Sequence, residues 1–191
     1  MGTHVTPLPI PGAWRIENPR HEDGRGSVRE CYRADVVNAA TGGTWRPRQA
    51  NVSVSGRGVL RGISVVTGTP GQAKYVTCVR GAVLDVVVDV RVGSPTFGHW
   101  HMEQLDDDHD VSLYLAESLG HAFLSLAENS TVMYLLSQPH DPASEVRVQA
   151  LDPDLGITWP PDVPANQSAK DRSAPRLADA ERAGMLPAYT Q

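Results

Sequence analysis

Between positions 83 and 90 the chain reads VLDVVVDV. In an extended strand Val83, Asp85 and Val87 fall on one face, continuing to Asp89, while Leu84, Val86, Val88 and Val90 fall on the other. The first face therefore carries carboxylates into, or to the mouth of, whatever the strand helps to enclose. The preceding KYVTCVR is a second β-branched run set off by the dipeptide RG, and the turn SPTFG leads into another strand from about 98 to 105. Upstream, QANVSVSGRGVL alternates polar and apolar residues as a half-buried strand does. Residues 14 to 36 alternate loosely around EDGRG, a glycine-permitted bend between strands. SLYLAE, HAFLSL and STVMYLLSQ continue the series, and DDDHD at 106 to 110 reads as a solvated turn. Around ten short strands without an intervening amphipathic helix predict an all-β sandwich or barrel. Beyond about 151 the chain becomes a Pro- and Asp-rich loop, and PRLADAERAGML is the one convincing helix, expected to pack back on the barrel.

Composition sharpens this picture. A chain of 191 residues, 40% of them hydrophobic, suits one domain with a substantial core. Its 17 glycines and 15 prolines, with only 6% aromatic residues, fit many turns rather than long helices. The net charge of −5, without a Lys/Arg block, argues against a nucleic-acid surface. No segment approaches the roughly 20 apolar residues of a membrane span, and MGTHVTPLPIPGAW lacks the layout of a signal peptide, so a soluble cytoplasmic protein is expected. Cys31 and Cys78 lie in strand-like segments without metal-type spacing and read as reduced packing residues.

Three basic residues are the first chemical clue. Arg25 follows a Gly turn, Arg61 precedes Gly62, and Lys74 opens a core strand. A guanidinium at a strand end beside glycine suits a diphosphate, because the fork binds oxygens bidentately and glycine lets the backbone approach. Taken singly, each reads first as an ordinary surface charge. Gln49, Asn51 and Ser53 alternate along one strand face and could hydrogen-bond a ligand or simply meet solvent. His99 and His101 form an HxH pair of the kind that binds metal in some β-barrels, yet they follow a turn and read as surface histidines; no metal or other cofactor is implied. His4, His21 and His109 lie in a terminus or in turns.

The order and spacing of EDGRGSVRE, RQANVSVSGRGVLRG, QAKYVTCVRGAVLDVVVDVRVGSPTFG, LGHAFLSL, STVMYLLSQ, PASE and DPDLGITWP resemble the successive signatures of the dTDP-4-dehydrorhamnose 3,5-epimerases, over about residues 8 to 187. The resemblance implies a double-stranded β-helix, the jelly-roll cupin fold, as a single domain over 1–191 with a short helical C-terminal segment. It further implies a homodimer to which about residues 1–45 contribute strands, with residues from about 151 to 191 packed on the barrel. The ligand it implies is a dTDP-linked 4-keto-6-deoxy sugar. Arg25 and Arg61 match diphosphate contacts, and Glu30, Gln49 and Asn51 match residues that hold the thymidine part. Val28 stands where the family usually has phenylalanine.

The family's reaction removes a proton beside the C4 ketone, stabilises the enolate, and returns a proton to the opposite face. By the resemblance, Lys74 is the cation near the enolate, Tyr134 the acid, Asp171 the aspartate that orients the base, and His121 a second histidine near sugar and phosphates; Asp85 lies in the same region of the core strand. The departure is at the base. Where the family reads RGLH this chain reads Arg61, Gly62, Ile63, Ser64, and where it has a second tyrosine this chain has His140. An unactivated serine hydroxyl is far too weak a base, and loss of a positioned one typically costs roughly 10²- to 10⁴-fold. Three readings follow: a 3- and/or 5-epimerase of deoxysugar or antibiotic biosynthesis with His121, His140 or an Asp171-bound water as base; a nucleotide-sugar-binding protein without catalysis; or a cupin recruited to another reaction of secondary metabolism.

Overall fold

The structure, a computed structural model, describes residues 2–190; Met1 and Gln191, the ends of the expected domain, lie outside them. In chain order the strands are β1 (His4–Pro7), β2 (Ala13–Glu17), β3 (Arg20–Asp23), β4 (Gly26–Arg29), β5 (Gln49–Ser55), β6 (Leu60–Val66), β7 (Lys74–Arg80), β8 (Ala82–Val88), β9 (Trp100–Asp106), β10 (Val111–Leu115), β11 (Gly120–Ser125), β12 (Ser130–Leu136) and β13 (Glu145–Arg147). Three short helices are α1 (Ala34–Thr41), α2 (Ala169–Arg172) and α3 (Leu177–Arg182). Two antiparallel sheets face each other, one ordered β1-β2-β10-β7-β12-β5 and the other β13-β6-β11-β8-β9, while β3 and β4 form a separate hairpin.

The alternation of the core strands decides what lies between the sheets. Val83 and Val87 of β8 pack with Val76 and Cys78 of β7, Phe123 of β11 and Val132 of β12 in the interior. The opposite face of β8, with Val86 and Val88, packs under the C-terminal segment through Val148, Leu155, Leu177 and Ala180. A third cluster, Tyr75, Tyr114, Trp45 and Val37, lies on the outer face of the six-stranded sheet beneath α1. At one end the interior core gives way to polar residues, because the inward positions of β5 are Gln49, Asn51 and Ser53 while Val52 and Val54 point outward and are exposed. The inward-polar reading of that strand is the one the structure supports.

Two expectations need correction. The segment after Arg33 forms the eight-residue α1, where only strand and loop were expected; Arg33 gives it no side-chain cap and Gly42 closes it in the left-handed conformation. The acidic turn is not merely solvated. Asp106 and Asp110 are buried, and Asp110 accepts hydrogen bonds from Arg20 (2.7 Å) and Arg29 (3.0 Å), which fastens the β3–β4 hairpin to the sandwich. Asp89 shares the face of Asp85 in sequence but not its surroundings: it is fully buried with Arg91 (2.7 Å), Ser94 (2.5 Å) and Thr96 (2.6 Å), a structural knot beyond the end of β8.

One irregularity shapes the polar end. Arg61 pairs with Phe123 and Ser64 with His121, so three steps along β6 match two along β11. A bulge of this kind shifts the facing of a strand by one residue, and here it turns both Arg61 and Ser64 inward. Gly62 makes it possible: its φ is +98°, and a Cβ there would stand 2.4 Å from the carbonyl oxygen of His121 and 2.9 Å from Cα of Ala122. We expect Gly62→Ala to lower the unfolding free energy by about 3 kcal/mol in chemical denaturation, the scale of core overpacking with added backbone strain. An unchanged midpoint would contradict the close approach of β6 and β11.

Candidate active site

A cavity of about 290 Å³ opens between the sheets at this end, near the lower bound of roughly 300 Å³ typical of small-molecule sites. The five-stranded sheet contributes Arg61 and Ser64 from β6, His121 from β11, and Glu145 and Arg147 from β13; the six-stranded sheet contributes Asn51, Lys74 and Tyr134. Asp171, His140, Gln72 and Ser168 close the rim.

On the first wall the register sets Ser64 directly between His121 and Arg147. His121 is almost fully buried and its Nε2 lies 2.8 and 3.0 Å from the two carboxylate oxygens of Asp85, itself sealed from water. Asp85 stands behind the histidine rather than in the cavity lining, so its contact with any ligand is indirect. Arg147 donates to Glu145 (2.9 Å) and is ion-paired with the buried carboxylate of Asp171, which also accepts from the hydroxyl of Ser168 (2.7 Å). Partial burial opposes the charge on Arg147, but Glu145 and Asp171 overcome it and hold the guanidinium pKa above its usual value.

On the second wall Lys74 is buried, and its Nζ donates to the hydroxyl of Ser64 at 3.3 Å, with the carbonyl oxygen of Ser64 at 3.5 Å. Burial lowers its pKa to about 8 despite the opposing fields of Glu145 and Asp85. The Tyr134 hydroxyl lies 2.7 Å from that of Ser53, and burial pushes its pKa up to about 12, so it keeps its proton through the neutral range. Gln49 stands just outside, donating to Asn51 (2.8 Å) and accepting from the backbone N–H of His140 (2.8 Å). Arg61 donates from Nε to Ser55 at 3.2 Å.

The structure thus gathers Lys74, Tyr134, Asp171, His121, Ser64, His140, Asn51 and Arg61 around one cavity, with Asp85 and Gln49 behind them. Arg25 and Glu30 are elsewhere. Arg25 sits at the tip of the β3–β4 hairpin, its side chain 90% exposed and paired with Asp23 at 2.6 Å, and Val28 on the same hairpin is also bare. His101 lies on β9, 3.3 Å from Glu103, and among the described residues no group of three or more His, Cys, Asp or Glu side chains could hold a metal ion. Both cysteines are free. Glu145 and Arg147 escaped the reading of the sequence; the signal was the E-V-R alternation, hidden in a stretch that reads as loop.

A buried His–Asp pair, a buried lysine and a partly buried tyrosine around one pocket in a cupin-type β-sandwich define a site equipped for proton transfer. The profile of dTDP-4-dehydrorhamnose 3,5-epimerases matches residues 7–179, and the chain belongs to that family. It is 51% identical over 183 residues to a dTDP-4-dehydro-6-deoxyglucose 3-epimerase of Streptomyces bikiniensis, covering 96% of this chain and 93% of that protein. A crystal structure of a 3′-monoepimerase from S. bikiniensis with dTDP-quinovose superposes with a TM-score of 0.93 over 96% of this chain and 92% of that one, at 51% identity. A 4-keto-6-deoxy sugar epimerase from the novobiocin cluster of Streptomyces spheroides gives 0.95 over 99% and 94%, at 48% identity.

Arg147→Ala leaves the Asp171 carboxylate buried with Ser168 as its remaining side-chain partner. We expect it to destabilise the fold by about 2 kcal/mol in denaturant titration; a change below about 0.5 kcal/mol would show that the ion pair carries little.

Proposed function

We propose that this protein is an epimerase of dTDP-4-keto-6-deoxyhexoses in antibiotic-type deoxysugar biosynthesis, acting at C3. The observation that carries this is the pairing of Lys74 and Tyr134 on one wall with a histidine held by a carboxylate on the other. The two relatives at 51% identity are named a 3-epimerase and a 3′-monoepimerase, which favours C3 over C5. Epimerisation removes the proton on the carbon next to the ketone and returns one to the other face, so acid and base must approach the sugar from opposite sides. Two facing sheets, each supplying one of them, meet that requirement. Lys74 as an ammonium stabilises the enolate oxygen. Ser64, whose oxygen accepts from Lys74, has its own proton free to donate to the same oxygen.

In this reading the diphosphate lies against Arg61 and the sugar fills the cavity, with thymidine at the mouth near Asn51 and Gln49. The hairpin residues Arg25, Glu30 and Val28 have no ligand of their own to meet. We propose that they serve the cavity of a second copy in a homodimer, through N-terminal segments up to about residue 45, which accounts for a charged and apolar hairpin left bare in one chain. The same reading includes a single jelly-roll cupin domain working in the cytoplasm; among the described residues no helix is long and apolar enough to cross a membrane.

Incubation with dTDP-4-keto-6-deoxy-D-glucose in D2O, followed by NMR, should show deuterium entering C3; binding without exchange at any carbon would refute the epimerase. The exchange rate should decline as pH rises through about 8, because Lys74 loses its proton there and with it the charge that holds the enolate. A rate that keeps climbing to pH 9 would remove Lys74 ammonium from the mechanism.

A further inference from the structure

Ser64 leaves the site without a base at the place where the family has its histidine, and Asp171, the carboxylate expected to orient such a base, is taken by Arg147. On that side Glu145, Arg147 and Asp171 form an ion-pair network. One strand further along the same wall stands a complete histidine–carboxylate pair.

We propose that His121, oriented by Asp85, is the catalytic base of this protein, a role moved one strand across the sheet from position 64. The inference rests on the epimerase reading above and names the residue that performs its first step. Four observations carry it. Asp85 binds Nε2 through both oxygens, which fixes that nitrogen as the proton-bearing one and leaves Nδ1 with a free lone pair. The hydrogen bonds of the ring among the described residues are made by Nε2, and His121 lines the cavity. The cross-strand register puts His121 directly beside Ser64, so a base there attacks from the same wall as one at 64 would. Finally, Tyr134 and Lys74 stand on the facing sheet, with the ring of Tyr134 set edge-on to that of His121 at 6.3 Å between centroids.

His140 is a weaker candidate. It lies on the exposed rim, and only its backbone N–H is tied down, to Gln49.

The Nδ1 lone pair of His121 takes the proton from C3. The C–H electron pair becomes the C3=C4 double bond, and the C4 carbonyl pair moves onto oxygen as the enolate, held by Lys74 and the Ser64 hydroxyl. When the enolate collapses, C3 takes the Tyr134 proton on its other face and the C4 carbonyl is restored. The imidazolium releases its proton to water and Tyr134 recovers one from water, so there is no net change but configuration, and solvent deuterium enters at C3. Asp85 offsets the positive charge on the imidazolium during the step without touching the sugar, and is therefore a positioning residue.

The test is deuterium uptake at C3 by the parent protein and by His121→Asn, with dTDP-induced thermal stabilisation measured on both. If the parent takes up no deuterium, the epimerase reading fails and His121 as base fails with it. If the parent exchanges, we expect His121→Asn to lose at least 100-fold while dTDP still raises its melting temperature. A loss smaller than tenfold in a variant that binds dTDP would overturn the assignment, whichever other residue proved responsible. The native protein gives a check that needs no variant. Carbethoxylation of His121 by diethyl pyrocarbonate, mapped by mass spectrometry, should remove exchange in proportion to its modification, and dTDP-sugar should slow it; full exchange by protein quantitatively modified at His121 would also overturn the assignment.

Discussion

Asp85 lies in the middle of a sheet with no exposure to water, and a carboxylate in that position is tolerable only if donors reach it. The β8–β11 register sets Val87 opposite His121 and Phe123 opposite Asp85, so the histidine is the diagonal neighbour of the aspartate on the inward face. That is the distance a long side chain spans across adjacent strands. The hydrogen bond that results satisfies the buried acid and pins the ring in one act. Everything else at the polar end is arranged around it: the β6 bulge at Gly62 brings Ser64 beside the same ring, and β13 adds Arg147 on the far side of Ser64.

His121, Ser64 and Arg147 form a row across three adjacent strands of one cavity wall. Arg147 lies directly across from Ser64 and takes the Asp171 carboxylate. The guanidinium holds Asp171 in an ion pair, and the small Ser64 hydroxyl lies near Lys74 Nζ. In the proposed mechanism this wall stabilises the enolate, and proton abstraction falls to the neighbouring strand.

Much of this was legible in the residues. The inward carboxylate at Asp85 follows from the period-two pattern of β8, and the polar face Gln49, Asn51, Ser53 follows from that of β5; only the enclosure that made those faces inward was missing. Lys74, Tyr134, His121 and Arg61 came from motif order, and the structure brings them to one cavity. What escaped has physical reasons. The helix α1 is eight residues long, carries Val36, Val37 and Asn38, which are indifferent helix formers, and has no side-chain cap at its start. The three-residue β13 is too short to show a period, so Arg147 looked like loop. That Arg25 and Glu30 lie away from the cavity of their own chain depends on how hairpins are placed in space, which alternation along a single chain does not encode.

The account turns on which nitrogen of His121 is free. Long-range ¹H–¹⁵N correlation NMR of the histidine-labelled protein, with His121 assigned by substitution, reads this directly in the resting site. We expect the ring to carry its proton on Nε2, with Nδ1 bare, and a change at Nδ1 when a dTDP-sugar binds. A His121 ring protonated on Nδ1, with Nε2 bare against Asp85, would contradict it.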